Sequence, residues 1–572
     1  MKIAGMTSGQ SIVHDNSIAL LEDEKILYAE SEERLSRKKH DGRFPVLALN
    51  EALKVTNISL DDIDCFVTTD HKSTIWKSFL YTLQYIPIAG FFTYLNKILE
   101  RFKYKNSGTP GQIETRLDDL NIPQKKRLNV SHYLAHATTA YYFSPLKNCL
   151  VVTMDGYGFD SDNKPLSGKI YLGKDGKLQE LEDVPIHGSL GLYYGAVTMA
   201  LGFKLNDGEG KTMGLAAYGN SQKCLKQIKE FFPYFKNGKW IARNSIFDIL
   251  NISRTEVFKR SKIFKEFEFL IEKYGRENVA AATQAVFEQE LESYILYLVN
   301  KYNYRLISAA GGIFLNMKAN MRLLQNKIVD DLFVYPNPGD SGIAIGVAVA
   351  GFLIKKGKFT QKEILHTNLG RSFTDSEIKK VLDETKGIIY KKLGGNLAKF
   401  TASRLASNKV LGWFQGRGEW GPRALGQRSV IADPRKVSTK NRINKILKGR
   451  EWFMPFAPSI LEERASDYLV NLKKSPFMII GDDATILGKT ELKAIVHIDG
   501  TLRPHIVRKK IQPLYYQVIK EFEKLTGVGV ILNTSFNKHG LPIVYSPKDA
   551  IEHLLWGAID ELVIGNFYVT RK

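Results

Sequence analysis

Two segments of the chain repeat one pattern, and the repeat constrains the fold more than any single motif does. KIAGMTSGQSIVHDNSIALLEDEKILYAES, Lys2 to Ser31, reads as strand, glycine-bearing turn, strand, polar turn, strand. CLVVTMDGYGFDSDNKPLSGKIYLGKDGKLQELEDV, Cys149 to Val184, reads the same way, with DGYG and KDG at its turns. Closely spaced strands followed by long helical patterns such as NVAAATQAVFEQELESYILYLVNKY imply a duplicated α/β unit with helices laid on its sheets. The pattern changes after GFLIKKGKF. Polar turns at HTNLGRSFTDSE lead into a second α/β region whose short apolar runs, FMIIG, KAIVHID, GVGVILNTSF and ELVIGNFYV, are expected to be strands. A chain of 572 residues is too long for one core, and we expect one domain over residues 1–365 and another over 366–572.

Composition narrows the class. With 44% hydrophobic and 25% charged residues there is no disorder signature. Three widely spaced cysteines, Cys65, Cys149 and Cys224, exclude a disulfide framework and a cysteine-rich zinc site, which fits a reducing compartment. The N-terminus has strand-like alternation without the apolar core of a signal peptide, so a cytoplasmic protein is expected. SFLYTLQYIPIAGFFTYL, Ser78 to Leu95, is long enough to span a membrane but carries Gln84 and Pro87, and reads better as a buried or surface-docking hairpin with a basic flank. The net charge of +21 calls for an anionic partner, either nucleic acid or small anions such as nucleotides and acyl phosphates. No basic arm or stacking motif favours nucleic acid.

Several constellations carry chemistry. SHYLAHATTAYY, Ser131 to Tyr142, sets His132 and His136 four residues apart, which on a helix puts both imidazoles on one face. A core helix with each histidine hydrogen-bonded to a neighbour would read the same way. PNPGDSGIAIGVAVAG places Asp340 in a tight turn before an apolar helix. Two histidines and that carboxylate would leave positions open for substrate, a set that suits Fe(II), Zn or Mn. VVTMDGYG ends a strand at Asp155 and Gly156, and LISAAGGIFLNMKAN sets Gly311, Gly312 and Asn316 between a strand and a helix. Such turns let backbone amides approach a phosphate. NDGEGKTMGLAAYG carries Glu209 and Lys211, either as a helix start capped by Asp207 or as a phosphate contact. His14, in an H-D pair at a turn, is a candidate general base.

The densest cluster is GWFQGRGEWGPRALGQRSVIADPR. Its Arg417, Arg423 and Arg428 are separated by glycine, proline and aromatic residues, and Lys448 and Arg450 follow. Guanidinium forks match phosphate and carbamate oxygens. Downstream, HIDGTLRPHIV adds Arg503, and ILNTSFNKHG adds Asn533, Thr534, Ser535 and Asn537.

In order, the H-x-x-x-H helix, EGKTMGLAAYG, GGIFLN, PGDSG, GRGEWGPRALGQRS, LKGREWFMPFAPS, DGTLRP and LNTSFN resemble the O-carbamoyltransferases of the nodulation-factor, cephamycin and tobramycin type over nearly the whole chain. The resemblance implies an actin-like ATPase fold in the first domain, similar to tRNA threonylcarbamoyl-transfer proteins, and a YrdC-like second domain. It implies that carbamoyl phosphate and ATP, with Mg, form carbamoyl adenylate in the second domain. The first domain then passes the carbamoyl group to a hydroxyl of a glycan or natural product. His132, His136 and Asp340 match the family's metal positions. Lys448, Arg423, Arg503, Asn533 and Ser535 match its adenylate-forming pocket, and His14 resembles the histidine near the acceptor hydroxyl. The alternatives are a tRNA-modifying protein and an actin-like ATPase with a regulatory tail.

Overall fold

The computed structural model describes residues 1–7, 15–69, 113–160, 164–243, 259–449, 451–471 and 475–572, without the side chains of 113–115, 446 and 448. His14, Arg450 and the segment 78–95 lie outside the described residues.

The first sheet contains β1 (Lys2–Met6), β2 (Ser17–Glu22), β3 (Lys25–Ser31), β4 (Cys65–Thr68) and β5 (Arg127–Asn129), in the order β3-β2-β1-β4-β5. The second contains β6 (Cys149–Phe159), β7 (Pro165–Lys174) and β8 (Lys177–Pro185). After a separate ribbon of β9 (Tyr234–Lys236) and β10 (Lys239–Ile241) it adds β11 (Leu306–Ala310) and β12 (Asp331–Val334), in the order β12-β11-β6-β7-β8. In each sheet three antiparallel strands are followed by two parallel ones, so the two halves share one topology. The expected duplication is present. The KDG turn between β7 and β8 has positive φ at Asp175 and Gly176, the backbone that a right-twisted two-residue hairpin requires.

Each half ends its sheet with a helix. His132–Tyr142 follows β5, Ile343–Lys356 follows β12, and the two pack against each other. Their small residues permit it. A Cβ on Gly346 would run into the carbonyl of Ala135, and the Thr138 hydroxyl donates to the Gly346 carbonyl at 2.9 Å. Among the described residues no helix is long and apolar enough to cross a membrane.

The second region is built on an eight-stranded mixed sheet. Its strands are β13 (Ile388–Lys392), β14 (Leu411–Phe414), β15 (Arg428–Ala432), β16 (Ala457–Leu461), β19 (His505–Val507), β20 (Val530–Ser535), β21 (Glu561–Ile564) and β22 (Phe567–Arg571), with β17 (Asp482–Asp483) and β18 (Thr501–Leu502) as a side ribbon. The sheet order is β13-β22-β21-β14-β15-β20-β16-β19. The protein is thus mixed α/β throughout.

Two expected strands are not strands. FMIIG forms turns: Phe477 to Ile480 are buried in the core of the first region, and the Ile479 carbonyl accepts from Asn320 Nδ2 at 2.8 Å. KAIVHID likewise forms turns after the helix Ile486–Glu491, with Ala494 and Ile495 buried in the second core. A short apolar run reports burial and not backbone conformation. Trp420, Leu425 and Phe453 also enter the first core, so the two regions share apolar as well as polar contacts.

Candidate active site

The helix His132–Tyr142 is started by Ser131, whose hydroxyl accepts from the Leu134 amide and donates to Asp160 Oδ1 at 2.8 Å. The first helical turn then sets His132 and His136 with ring centroids 4.7 Å apart. Asp155 comes from β6, where the register against β7 shifts between Met154 and Gly158 and turns its side chain out of the ladder. Asp340 opens the short helical turn before the helix Ile343–Lys356. His136 Nε2 lies 3.2 Å from Asp155 Oδ2 and 3.5 Å from Asp340 Oδ1, and His132 Nε2 lies 4.0 and 3.7 Å from the same two atoms. All four donors fall within 4.8 Å of one another.

Glycines make the room. A Cβ on Gly158 would stand 2.6 Å from the His132 ring, and one on Gly312 would stand 2.7 Å from Asp155 Oδ1. Gly311 and Gly312 therefore back a carboxylate in this structure. The Gly156 amide donates to Asp155 Oδ1 at 2.7 Å. Asn316 caps the helix Met317–Gln325 through the Ala319 amide and exchanges two 3.0 Å hydrogen bonds with Gln284.

His136 Nδ1 is buried without a hydrogen-bond partner among the described residues, and its Nε2 faces only the carboxylates of Asp155 and Asp340. Burial opposes protonation of His136, but the carboxylates of Asp155 and Asp340 outweigh it and raise its pKa to about 9. Two imidazoles and two carboxylates converging in a part-buried site fit a divalent metal.

A second histidine site was not legible in the sequence. His40 Nδ1 lies 2.8 Å from Asp15 Oδ1 and its Nε2 lies 3.3 Å from Asp207 Oδ1, while Lys39 pairs with Asp207. Burial again opposes the charge, and the two carboxylates overcome it, raising His40 to about 10. Asp15 and His40 both adopt positive φ, at 61° and 55°, so this corner of the backbone is strained into place. RKKHDGR looks like a solvated polar turn, and only its consecutive cations hinted at carboxylates elsewhere. Lys211 joins the regions through Glu451 Oε1 at 2.9 Å, and Glu209 accepts from the Asn206 amide.

The arginine cluster separates into two kinds. Arg417 donates to the carbonyls of Gly370, Leu27 and Leu369 at 2.8, 2.7 and 2.6 Å. Arg428 is buried against the Phe414 ring and donates to the carbonyls of Gln415, Gly416 and Arg371. Arg423 differs: no described residue gives it a hydrogen bond or ion pair, its Nε is buried, and desolvation lowers its pKa to about 10. Its loop is closed by Glu419, whose Oε1 accepts from the amides of Leu425, Gln427 and Arg428 at 2.8, 2.7 and 3.1 Å. Asn533 on β20 donates to the Ala424 carbonyl and to Ser459, each at 3.0 Å. Thr534 and Ser535 follow on β20 opposite Val430 and Ser429, and Ser535 donates to Asn537 Oδ1 at 2.6 Å. Arg503 is half-buried between β18 and β19. Lys448 lies in the helical turn Asn444–Lys448 by its backbone.

Comparison with known proteins bears on both sites. The family model described as Carbamoyltransferase N-terminus matches residues 2–349, and Carbamoyltransferase C-terminus matches residues 402–571. The chain belongs to the carbamoyltransferase family. Nodulation protein NolNO of Sinorhizobium fredii is 30% identical over 100% of this chain and 83% of its own length. The uncharacterized protein MJ1058 of Methanocaldococcus jannaschii is 31% identical over 100% of both chains, and nodulation protein U of Rhizobium tropici is 24% identical over 100% and 96%. As a carbamoyltransferase the protein is a transferase. The N-terminal match contains both five-stranded sheets and the four converging donors, and the C-terminal match contains Arg423 and most of the eight-stranded sheet.

Proposed function

We propose that the chain is an ATP-dependent O-carbamoyltransferase in which residues 366–572 form carbamoyl adenylate and residues 1–365 pass the carbamoyl group to a hydroxyl of a sugar or natural product. One observation carries this reading. Two imidazoles and two carboxylates converge within 4.8 Å in the first region, and in the second Arg423 has no ion pair among the described residues, so the chain holds a cation-binding donor set and a separate anion-binding group.

In the second region, water converts carbamoyl phosphate to carbamate and phosphate. A carbamate oxygen then attacks the α-phosphorus of ATP, which enters as its magnesium complex, and pyrophosphate leaves. Arg423 stabilises the charge on phosphate oxygens, with Arg503, Lys448, Asn533 and Ser535 assigned to the same pocket by resemblance. In the first region the acceptor oxygen attacks the carbamoyl carbon, its proton passes to a base, and AMP leaves. His14 is assigned as the base by resemblance, while His40, engaged at both ring nitrogens by Asp15 and Asp207, orders the corner of the backbone that follows His14. His132, His136, Asp155 and Asp340 would hold Fe(II), Zn or Mn, and such a cation supplies Lewis acidity toward the phosphate of the leaving AMP.

The test uses the full chain with ATP, magnesium and carbamoyl phosphate. Pyrophosphate is released without an acceptor, and mass spectrometry of a sugar panel finds a carbamoyl increment. A folded, metal-replete chain that released no pyrophosphate would refute the reading.

A further inference from the structure

The loop that carries Arg423 is held from outside its own region. Three of its carbonyls accept from neighbours in the second region: Gln512 Nε2 donates to the Leu425 carbonyl at 2.7 Å, Trp413 Nε1 to Gly426 at 2.9 Å, and Asn533 to Ala424. At the tip the partner changes. Arg34, on the short helix Glu32–Ser36 that follows β3 in the first region, donates through Nη2 to the Gly421 carbonyl at 2.8 Å and approaches the Glu419 carbonyl at 3.5 Å. Arg34 is 3% exposed, so these bonds form away from bulk water. Gly421 has φ of 109° and sits against Asn337, where an added Cβ would lie 3.0 Å from the Asn337 Cβ. Asn337 is three residues before Asp340 and accepts from the Ser341 hydroxyl at 2.9 Å. The tip is thus pinned between Arg34 and the turn that carries a metal-site carboxylate.

We propose that Arg34 is a positioning residue for Arg423, so that adenylate formation in the second region depends on a side chain of the first. The inference rests on the function proposed above. The geometry explains why the loop needs an external clamp. Arg423 is desolvated and has no counter-ion among the described residues, so its loop gains little from that side chain until an anion binds, and the backbone must hold it in place beforehand.

Arg37 provides the control. It follows the same short helix and also crosses to the second region, donating to the Ile543 and Pro542 carbonyls at 2.7 and 3.1 Å and pairing with Asp549 at 3.4 Å; it also donates to the Arg34 carbonyl at 3.4 Å, but among the described residues no hydrogen bond ties it to the Arg423 loop. The experiment measures pyrophosphate release, carbamoyl transfer from supplied carbamoyl adenylate and Tm for full-length wild type, Arg34→Met, Arg34→Lys and Arg37→Met. Arg34→Met lowers kcat for pyrophosphate release by about tenfold to a hundredfold with KM for ATP nearly unchanged, and keeps most of the transfer activity. Arg34→Lys recovers part of the loss, because one ammonium still reaches one carbonyl, and Arg37→Met keeps wild-type pyrophosphate release. The proposal is overturned if Arg37→Met falls as far as Arg34→Met, if both half-reactions fall together, or if Arg34→Met keeps its kcat. Should Arg34→Met fail to fold, Glu419→Gln loosens the same loop from within: a loss confined to pyrophosphate release supports the proposal, and unchanged release overturns it. A wild-type chain that releases no pyrophosphate removes the parent reading and this one with it, a result distinct from any difference among the variants.

Discussion

The two sites satisfy their polar groups in opposite ways. In the first region four donors from three separate elements meet within 4.8 Å, and no described residue gives His136 Nδ1 a hydrogen bond. In the second region most of the arginine cluster is spent on architecture: Arg417 and Arg428 are tied to backbone carbonyls, and Arg423 alone lacks a partner among the described residues. Density of charge in a sequence therefore does not measure ligand binding. What matters is which charges the fold leaves unpaired, since a buried group without a partner costs more than a lost hydrogen bond and persists where a ligand supplies the missing contact.

The sharpest break in the comparison comes from His136→Ala. It removes the fully buried member of the donor set, and metal content of the purified chain falls well below one equivalent. Transfer from supplied carbamoyl adenylate drops to background while pyrophosphate release continues. Full metal with full transfer in this variant would make the histidines core residues, and the first region's chemistry would lie elsewhere.

Arg423→Met and Arg428→Met test the second half of the contrast as a pair. Arg423→Met costs pyrophosphate release about a hundredfold to a thousandfold, the range for removing one group that faces developing charge, and leaves Tm unchanged or raised. Arg428→Met does the reverse. It strands the carbonyls of Gln415, Gly416 and Arg371 in the interior and destabilises the chain by about 3 kcal/mol, measured by denaturant unfolding. If both variants lost stability equally, the division between architectural and ligand-binding arginines would fail.

The same contrast explains what could be read in advance. The duplicated halves were legible because three closely spaced strands with small turns occur twice, and His132 with His136 was legible because helical spacing alone puts them on one face. Asp155 was visible as a carboxylate at a strand end, but its place beside the histidines depends on a β-bulge and on Gly311 and Gly312, which read equally well as a phosphate turn. His40 was hidden because its two carboxylates come from positions 25 residues before and 167 residues after it in the chain. Arg417 and Arg428 looked like Arg423 because sequence does not show which carbonyls a fold leaves open. FMIIG looked like a strand because a run buried against the helix Met317–Gln325 is as apolar as one in a sheet.

The smallest effect sharpens the comparison at the boundary between the regions, where Glu30 is 2% exposed at the end of β3. Its Oε2 lies where a Cβ on Gly370 would come within 2.7 Å. Burial raises its pKa from 4.5 to about 7, against the opposing pull of Arg34, the Ser31 amide and Arg428. The sign follows from linkage. A carboxyl that holds its proton more tightly when folded contributes its full stability below pH 4.5, and that contribution is lost as pH rises through 7. The gap corresponds to about 3 kcal/mol at most. Glu30→Gln keeps a neutral, hydrogen-bonding group of similar shape at every pH. The Tm difference between variant and wild type is therefore expected to be more favourable to the variant at pH 8 than at pH 5, whatever the amide itself costs. The same Tm difference at both values would mean that Glu30 is ionised in the folded chain throughout, with Arg34 and Arg428 as full counter-ions. The arginine cluster would then carry a second charge pair in addition to its carbonyl contacts.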